Sequence, residues 1–241
     1  MKIYKLKTEE DASRKASEII IEIIKNKEDC VLGLATGSTP LKTYQFLIDA
    51  YKNKKIDFSK VAAVNLDEYK GLSKDDPNSY SYFMDKHLFN QINIKNTNIP
   101  DGMEKDPVKA CNTYQKTLNN LGPVDLQILG IGLNGHIGFN EPGTDFNEET
   151  HLVSLSKSTI CANRRFFLKE EDVPKFAYTM GIKTIMKSKT ILLIATGKNK
   201  KEILKESLTG PVTANVPASI LQTHENVIVI GDSESLEWYE D

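Results

Sequence analysis

His136 and Glu141 stand five residues apart in Asn134-Gly135-His136-Ile137-Gly138-Phe139-Asn140-Glu141-Pro142-Gly143, a stretch with neither helical nor strand period. An imidazole, with an ordinary pKa of about 6.5, suits proton transfer at neutral pH, and a neighbouring carboxylate fixes its tautomer and raises its basicity. The glycines let the backbone turn sharply and approach a small ligand. Taken alone the segment fits a structural turn as well as a catalytic loop. Its surroundings decide between the two.

Three further constellations stand at the ends of apolar runs. The run 30–35 leads into Thr36-Gly37-Ser38-Thr39-Pro40 and then a helical pattern. Glycine, hydroxyl donors and a helix start together suit a phosphate, although Ser or Thr capping a helix explains the same letters. The loop lacks the Gly-Lys-Ser/Thr ending of a nucleotide P-loop and the three-glycine dinucleotide fingerprint, so a small phosphorylated metabolite is the expected ligand. The run 61–66 ends in Asp67-Glu68-Tyr69, which makes Asp67 a candidate base at a strand's carboxyl edge, with a turn or cap as the alternative. A second glycine loop, Ala195-Thr196-Gly197-Lys198-Asn199-Lys200-Lys201, offers lysines that can reach the same anion.

These residues need a scaffold. Apolar, β-branched runs at 2–6, 30–35, 61–66, 124–131, 151–155, 190–195 and 227–230 read as strands. Helical patterns fall at 8–26, 41–53, 79–90, 106–121, 198–208 and 217–223, the first with Thr8 as N-cap and Ala12, Ala16, Ile19, Ile20 and Ile23 on one face. Continuous apolar strands alternating with helices predict an α/β fold: a doubly wound, mostly parallel sheet with helices on both faces, Rossmann-like and three-layered. Ligands then bind beyond the carboxyl ends of the strands. Residues 1–241 read as one domain, and the polar segment 156–176, with Arg164-Arg165-Phe166-Phe167, reads as a candidate lid or a surface crossover.

Composition narrows the function. The chain has 241 residues and a formal charge of −2, its 31 basic residues scattered among 33 acidic ones, which gives no footprint for nucleic acid. Three dispersed cysteines exclude a disulfide framework and a Cys-rich zinc site. No second His lies at ligand spacing from His136, and His87, His151 and His224 read as surface or packing residues, so no metal site is expected. No apolar run approaches the roughly 18 to 20 residues of a membrane span, and the N-terminus is too charged for a signal peptide. The expectation is a cytoplasmic protein with no membrane partner.

The segments Leu34-Ala35-Thr36-Gly37-Ser38-Thr39-Pro40, Asn65-Leu66-Asp67-Glu68-Tyr69, the run from Gly130 through His136 to Pro142, and Ala162-Asn163-Arg164-Arg165-Phe166-Phe167 occur together and in order. In this the chain resembles the glucosamine-6-phosphate deaminase (glucosamine-6-phosphate isomerase) family over essentially its whole length. The resemblance implies a cofactor-independent conversion of glucosamine 6-phosphate and water to fructose 6-phosphate and ammonia. It implies that His136, assisted by Glu141 and Asn134, opens the sugar ring, and that Asp67 moves a proton from C2 to C1. Thr36, Gly37, Ser38, Thr39, Arg165 and Lys200 would bind the substrate phosphate. Many family members carry Asp where this chain has Asn134, so a role there must be a hydrogen bond rather than a charge. His151 and Val153 fall where longer members place basic residues for an allosteric phosphate, and the C-terminal extension of those members is absent. No activation by N-acetylglucosamine 6-phosphate is therefore expected, and a monomer or small homo-oligomer is expected rather than a hexamer. A related 6-phosphogluconolactonase and a non-enzymatic sugar-phosphate sensor are the competing readings; lactone hydrolysis gives Asp67 no clear task, and the sequence shows neither a helix-turn-helix nor a basic surface signal for a sensor, while its candidate acid–base groups are intact.

Overall fold

A computed structural model describes residues 1–240 except Arg165, Phe166, Leu168, Glu170 and Glu171, and for Ser158, Ala162 and Asn163 the backbone alone. Along the chain lie β1 (Lys2–Leu6), α1 (Glu9–Asn26), β2 (Val31–Leu34), α2 (Leu41–Lys52), β3 (Ala62–Asn65), β4 (Asp67–Tyr69), α3 (Tyr80–His87), β5 (Asn96–Asn98) and α4 (Pro107–Leu121). They are followed by β6 (Leu126–Leu129), β7 (His151–Ser154), α5 (Lys157–Asn163), β8 (Phe176–Thr179), α6 (Ile182–Ile185), β9 (Ile191–Ala195), α7 (Lys201–Thr209) and β10 (Val227–Asp232).

Among the described residues seven strands form a parallel sheet in the order β1-β10-β9-β6-β2-β3-β5. Every residue of β2, β3, β6 and β9 is buried, which is why these strands read as unbroken apolar runs rather than alternating ones. Contacts of α1 with α2 and of α2 with α3 gather these helices on one face. The chain reverses direction across the sheet after β5, so the connections that carry α4 and α7 run back the other way. In α1 the Thr8 hydroxyl accepts from the Asp11 N–H at 3.1 Å, and Ala12, Ala16, Ile20 and Ile24 form the stripe buried against the sheet. No helix among the described residues is long and apolar enough to cross a membrane.

A second sheet is antiparallel, in the order β4-β8-β7. Leu66 joins it to the first: its N–H donates to Leu34 O at 3.3 Å and its carbonyl accepts from Met180 N at 2.7 Å. The stretch 151–155 therefore does not extend the parallel sheet as expected. It lacks full burial on two faces, and its chain returns beside itself instead of crossing over. Asp67-Glu68-Tyr69 is itself a strand, with all three residues buried, rather than a polar edge to β3. The short strands β4, β5 and β8 escaped the sequence pattern because each has only three or four residues, and β5 is Asn-Thr-Asn. The helix expected at 217–223 is 3-10 throughout and opens at Pro217, while that at 198–208 begins as a 3-10 turn at Lys198–Lys200 before α7.

Candidate active site

The loops singled out by sequence leave the carboxyl ends of β9, β6, β2 and β3, which are four neighbouring parallel strands. They must share one edge of the sheet. Connections run one way from β2 through β3 to β5 and the other way from β6 through β9 to β10, so the crevice between β2 and β6 is a topological switch point.

Thr36 to Thr39 occupy the β2 side of this crevice. The Tyr44 hydroxyl, on a fully buried side chain, bonds both the N–H and the carbonyl of Ala35 and so anchors the loop to α2. Gly37 takes φ +97°, a left-handed conformation open to glycine. Pro40 is the N-cap of α2 and no side chain caps the helix. Among the described residues the Thr36, Ser38 and Thr39 hydroxyls have no hydrogen-bond partner, which disfavours the capping explanation of these letters. Across the crevice, Lys200 follows Gly197 at the end of β9, and its ammonium donates to the Ile131 carbonyl at 2.6 Å. Lys200 thereby touches the root of the loop that carries His136.

That loop is tightly tied. Gly132 N donates to His136 O at 2.9 Å and Gly135 N to Gly132 O at 3.1 Å. A Cβ on Gly132 would lie 2.3 to 2.5 Å from three atoms of the His136 ring, so the imidazole occupies the room a side chain would take. The Asn140 amide donates to Ile137 O and Met180 O, and Phe139 N donates to the Thr179 hydroxyl, which fastens the loop to the second sheet.

Glu141 faces the imidazole. Its Oε2 lies 3.6 Å from His136 Nδ1 and accepts from Asn134 Nδ2 at 2.7 Å, while Asn134 Oδ1 accepts from the His136 N–H at 3.2 Å. The other oxygen, Oε1, accepts from the Thr159 hydroxyl at 2.5 Å and from Ser156 N at 3.4 Å. Burial alone would raise the Glu141 pKa and is the largest single influence. His136, Thr159 and Asn134 together overcome it and hold the carboxyl down at about 2.

Asp67 has the opposite environment. It lies buried on β4 against the same loop: a methyl placed on Gly138 would stand 3.6 Å from Asp67 Oδ2. Tyr69, Tyr80 and Phe139 build an aromatic wall nearby, with ring centroids 4.7 Å apart for Tyr69–Tyr80 and 6.0 Å for the stacked pair Tyr80–Phe139. Among the described residues its carboxyl has neither a hydrogen-bond donor nor a basic partner. Burial, with a smaller push from Glu68, raises its pKa to about 8. Glu68 differs from its neighbour: it accepts from the N–H groups of Tyr69, Tyr80 and Ser81 and from the Ser81 hydroxyl, so it holds the start of α3 in place.

Asp67, Asn134, His136 and Glu141 thus meet at one sheet edge, with Lys200 and the Thr36–Thr39 loop beside them. Arg165 lies outside the described residues. Thr159 was missed because the stretch 156–161 carries no motif; its signal is the Ser156 N-cap of α5 three residues earlier. No group of three His, Cys, Asp or Glu residues suited to a metal occurs among the described residues. His151 and His224 bond backbone carbonyls of Glu149 and Ser188, and His87 packs on the Phe83 ring.

The family model described as glucosamine-6-phosphate isomerases/6-phosphogluconolactonase matches residues 6–230. A glucosamine-6-phosphate deaminase of Thermoanaerobacter sp. (strain X514) is 51% identical over 98% of this chain and 94% of its own. A solved structure described as a monomeric glucosamine-6-phosphate deaminase superposes with a TM-score of 0.97 at 45% identity, covering 99% of this chain and all of the other. A 6-phosphogluconolactonase from Trypanosoma brucei, at 22% identity and a TM-score of 0.81 over 99% of this chain and 98% of its own, shares the fold. With the switch-point crevice, the His136 loop and this match along nearly all its length, the chain belongs to the glucosamine-6-phosphate isomerase/6-phosphogluconolactonase family.

Proposed function

We propose that this chain is a glucosamine-6-phosphate deaminase, converting glucosamine 6-phosphate and water to fructose 6-phosphate and ammonia. The observation that carries the reading is the opposed setting of two carboxyls at one sheet edge: Asp67 is buried with no donor among the described residues, whereas Glu141 is held by Asn134, Thr159 and Ser156 beside His136. Isomerisation needs a group that takes a proton from carbon and returns it, and a carboxyl titrating near working pH does both. Ring opening needs a polar carrier held in one orientation, which suits an imidazole backed by an ionised carboxylate.

In this reading His136 takes the proton of the anomeric hydroxyl and delivers it to the ring oxygen, with Glu141 stabilising the imidazolium and Asn134 fixing Glu141. Asp67 then removes the C2 proton and returns it at C1. As the C2–N bond becomes an imine the amino nitrogen gives up one proton and the C1 oxygen takes one up, and water hydrolyses the imine to the ketone and ammonia. The aromatic wall around Asp67 keeps water from the carbon base. Thr36, Gly37, Ser38, Thr39 and Lys200 hold the phosphate, joined by Arg165 from a lid formed by 156–176. The ring-opening and carbon-to-carbon proton transfers are assigned to side chains, and no cofactor is invoked. The enzyme works in the cytoplasm as a monomer or small homo-oligomer, and 1–241 acts as one domain. Its substrate curve is hyperbolic and indifferent to N-acetylglucosamine 6-phosphate.

The test is ammonia release from glucosamine 6-phosphate by the purified protein and by Asp67→Asn. Release by the wild type and a loss of about 10²–10⁴-fold in the variant are expected. Hydrolysis of 6-phosphogluconolactone without ammonia release, retained in Asp67→Asn, would establish the lactonase in its place.

A further inference from the structure

Asp232 ends β10, directly beside Ala195 at the end of β9, because Gly231 pairs with Ala195 in the sheet. Its buried carboxylate accepts the Gly197 N–H at 2.9 and 3.1 Å with its two oxygens. One of those oxygens also accepts from Ser235 N at 2.8 Å. The fully buried Ser235 closes the arrangement: its hydroxyl accepts from Asp232 N and donates to the Ala195 carbonyl. Gly197 stands at φ +88°, so the turn after β9 is held in a conformation other residues avoid. Three residues later Lys200 reaches Ile131 O. The series Asp232, Gly197, Lys200, Ile131 thus runs without a break from the C-terminal turn to the root of the His136 loop.

We infer that Asp232 is a positioning residue for Lys200: it fixes the Gly197 turn so that the ammonium is held over the switch-point crevice for the substrate phosphate. The inference rests on the reading of Lys200 as a phosphate ligand. Asp232 makes no contact with the His136, Glu141 or Asp67 side chains, so its removal should weaken substrate binding and spare the proton transfers. A charge-assisted acceptor with two oxygens on one N–H is among the stronger ways to hold a loop, whereas a neutral amide retains a single acceptor oxygen.

The experiment is a double-mutant cycle on Asp232 and Lys200. Asp232→Ala is expected to raise KM about tenfold with kcat changed less than about threefold, and Asp232→Asn, isosteric and still an acceptor, to raise KM by about threefold. In a Lys200→Ala background Asp232→Ala should raise KM by less than about twofold, because its effect passes through the missing ammonium. Additive effects on KM, or a fall in kcat at unchanged KM, would overturn the inference. Should Asp232→Ala not fold, the Asn variant carries the cycle. Should the wild type release no ammonia, the function reading fails. The same cycle read as inorganic phosphate affinity by titration calorimetry then decides the positioning role: non-additivity supports it, additivity rejects it.

Discussion

Asn134 Nδ2 donates to Glu141 Oε2 at 2.7 Å, and this is the oxygen that faces His136 Nδ1. A neutral amide therefore shares with the imidazole the same carboxylate oxygen. Replacing it with Asp sets two carboxylates against each other, which raises the proton affinity of the pair. In Asn134→Asp the titration of the Glu141 carboxyl, followed by carbon-13 NMR, is expected to move up by about one pH unit. An unmoved titration would show that Asn134 does not act through Glu141.

Asp67 ties activity and stability to pH with opposite signs. As the carbon base of the free enzyme it must be ionised, so kcat/KM should climb as pH rises through about 8. Its native pKa lies above the unfolded value, so between roughly pH 4 and pH 8 the native state keeps a proton that the unfolded chain has released, and stability falls as pH rises. Asp67→Asn removes that dependence. The variant should be close to inactive yet more stable at pH 8 than at pH 4 relative to wild type, by on the order of 1 to 5 kcal/mol. Denaturant melts at the two pH values give the comparison; equal differences at both would mean that Asp67 ionises freely.

Gly132→Ala tests how closely the His136 ring is seated. Its Cβ would have to displace the imidazole, and a loss of about 10- to 100-fold in kcat is expected with the fold retained. Gly130→Ala is the control, since a Cβ there meets nothing within 4 Å. Equal activities of the two variants would remove the steric argument.

Much of this was legible beforehand. The parallel sheet and its first helices followed from buried apolar runs and a Thr8 cap, both local signals. The site was legible as four loops, because glycines, hydroxyls and carboxylates placed just after strands leave a mark in the sequence. The environments that set the chemistry left none. Asp67 and Glu68 are adjacent acids in the text, yet one lacks any partner among the described residues and the other has four donors, three of them from residues 80 and 81. Thr159 reaches Glu141 across eighteen positions of chain, and neither residue announces the other. The second sheet was missed for the same reason: β4 and β8 are short and pair across more than a hundred residues.

Away from the site, Lys54 takes φ +57° just after α2, with Lys55 N donating to Ala50 O in a helix-ending turn where glycine is favoured. Lys54→Gly should stabilise the protein by about 0.5–1 kcal/mol, seen as a rise of about 1–4 °C in Tm. An unchanged or lower Tm would show that the lysine side chain makes a compensating contribution.

Asp67 and His136 come from different sheets, and Leu66 binds the two sheets together. The distance between carbon base and ring-opening imidazole is thus set by how two pieces of regular structure abut. The connection from Ser154 to Phe176 acts elsewhere: through Ser156 and Thr159 it holds Glu141, the partner of the imidazole. Changes in that connection therefore reach the support of His136, whereas the spacing of carbon base and imidazole is left to the two sheets.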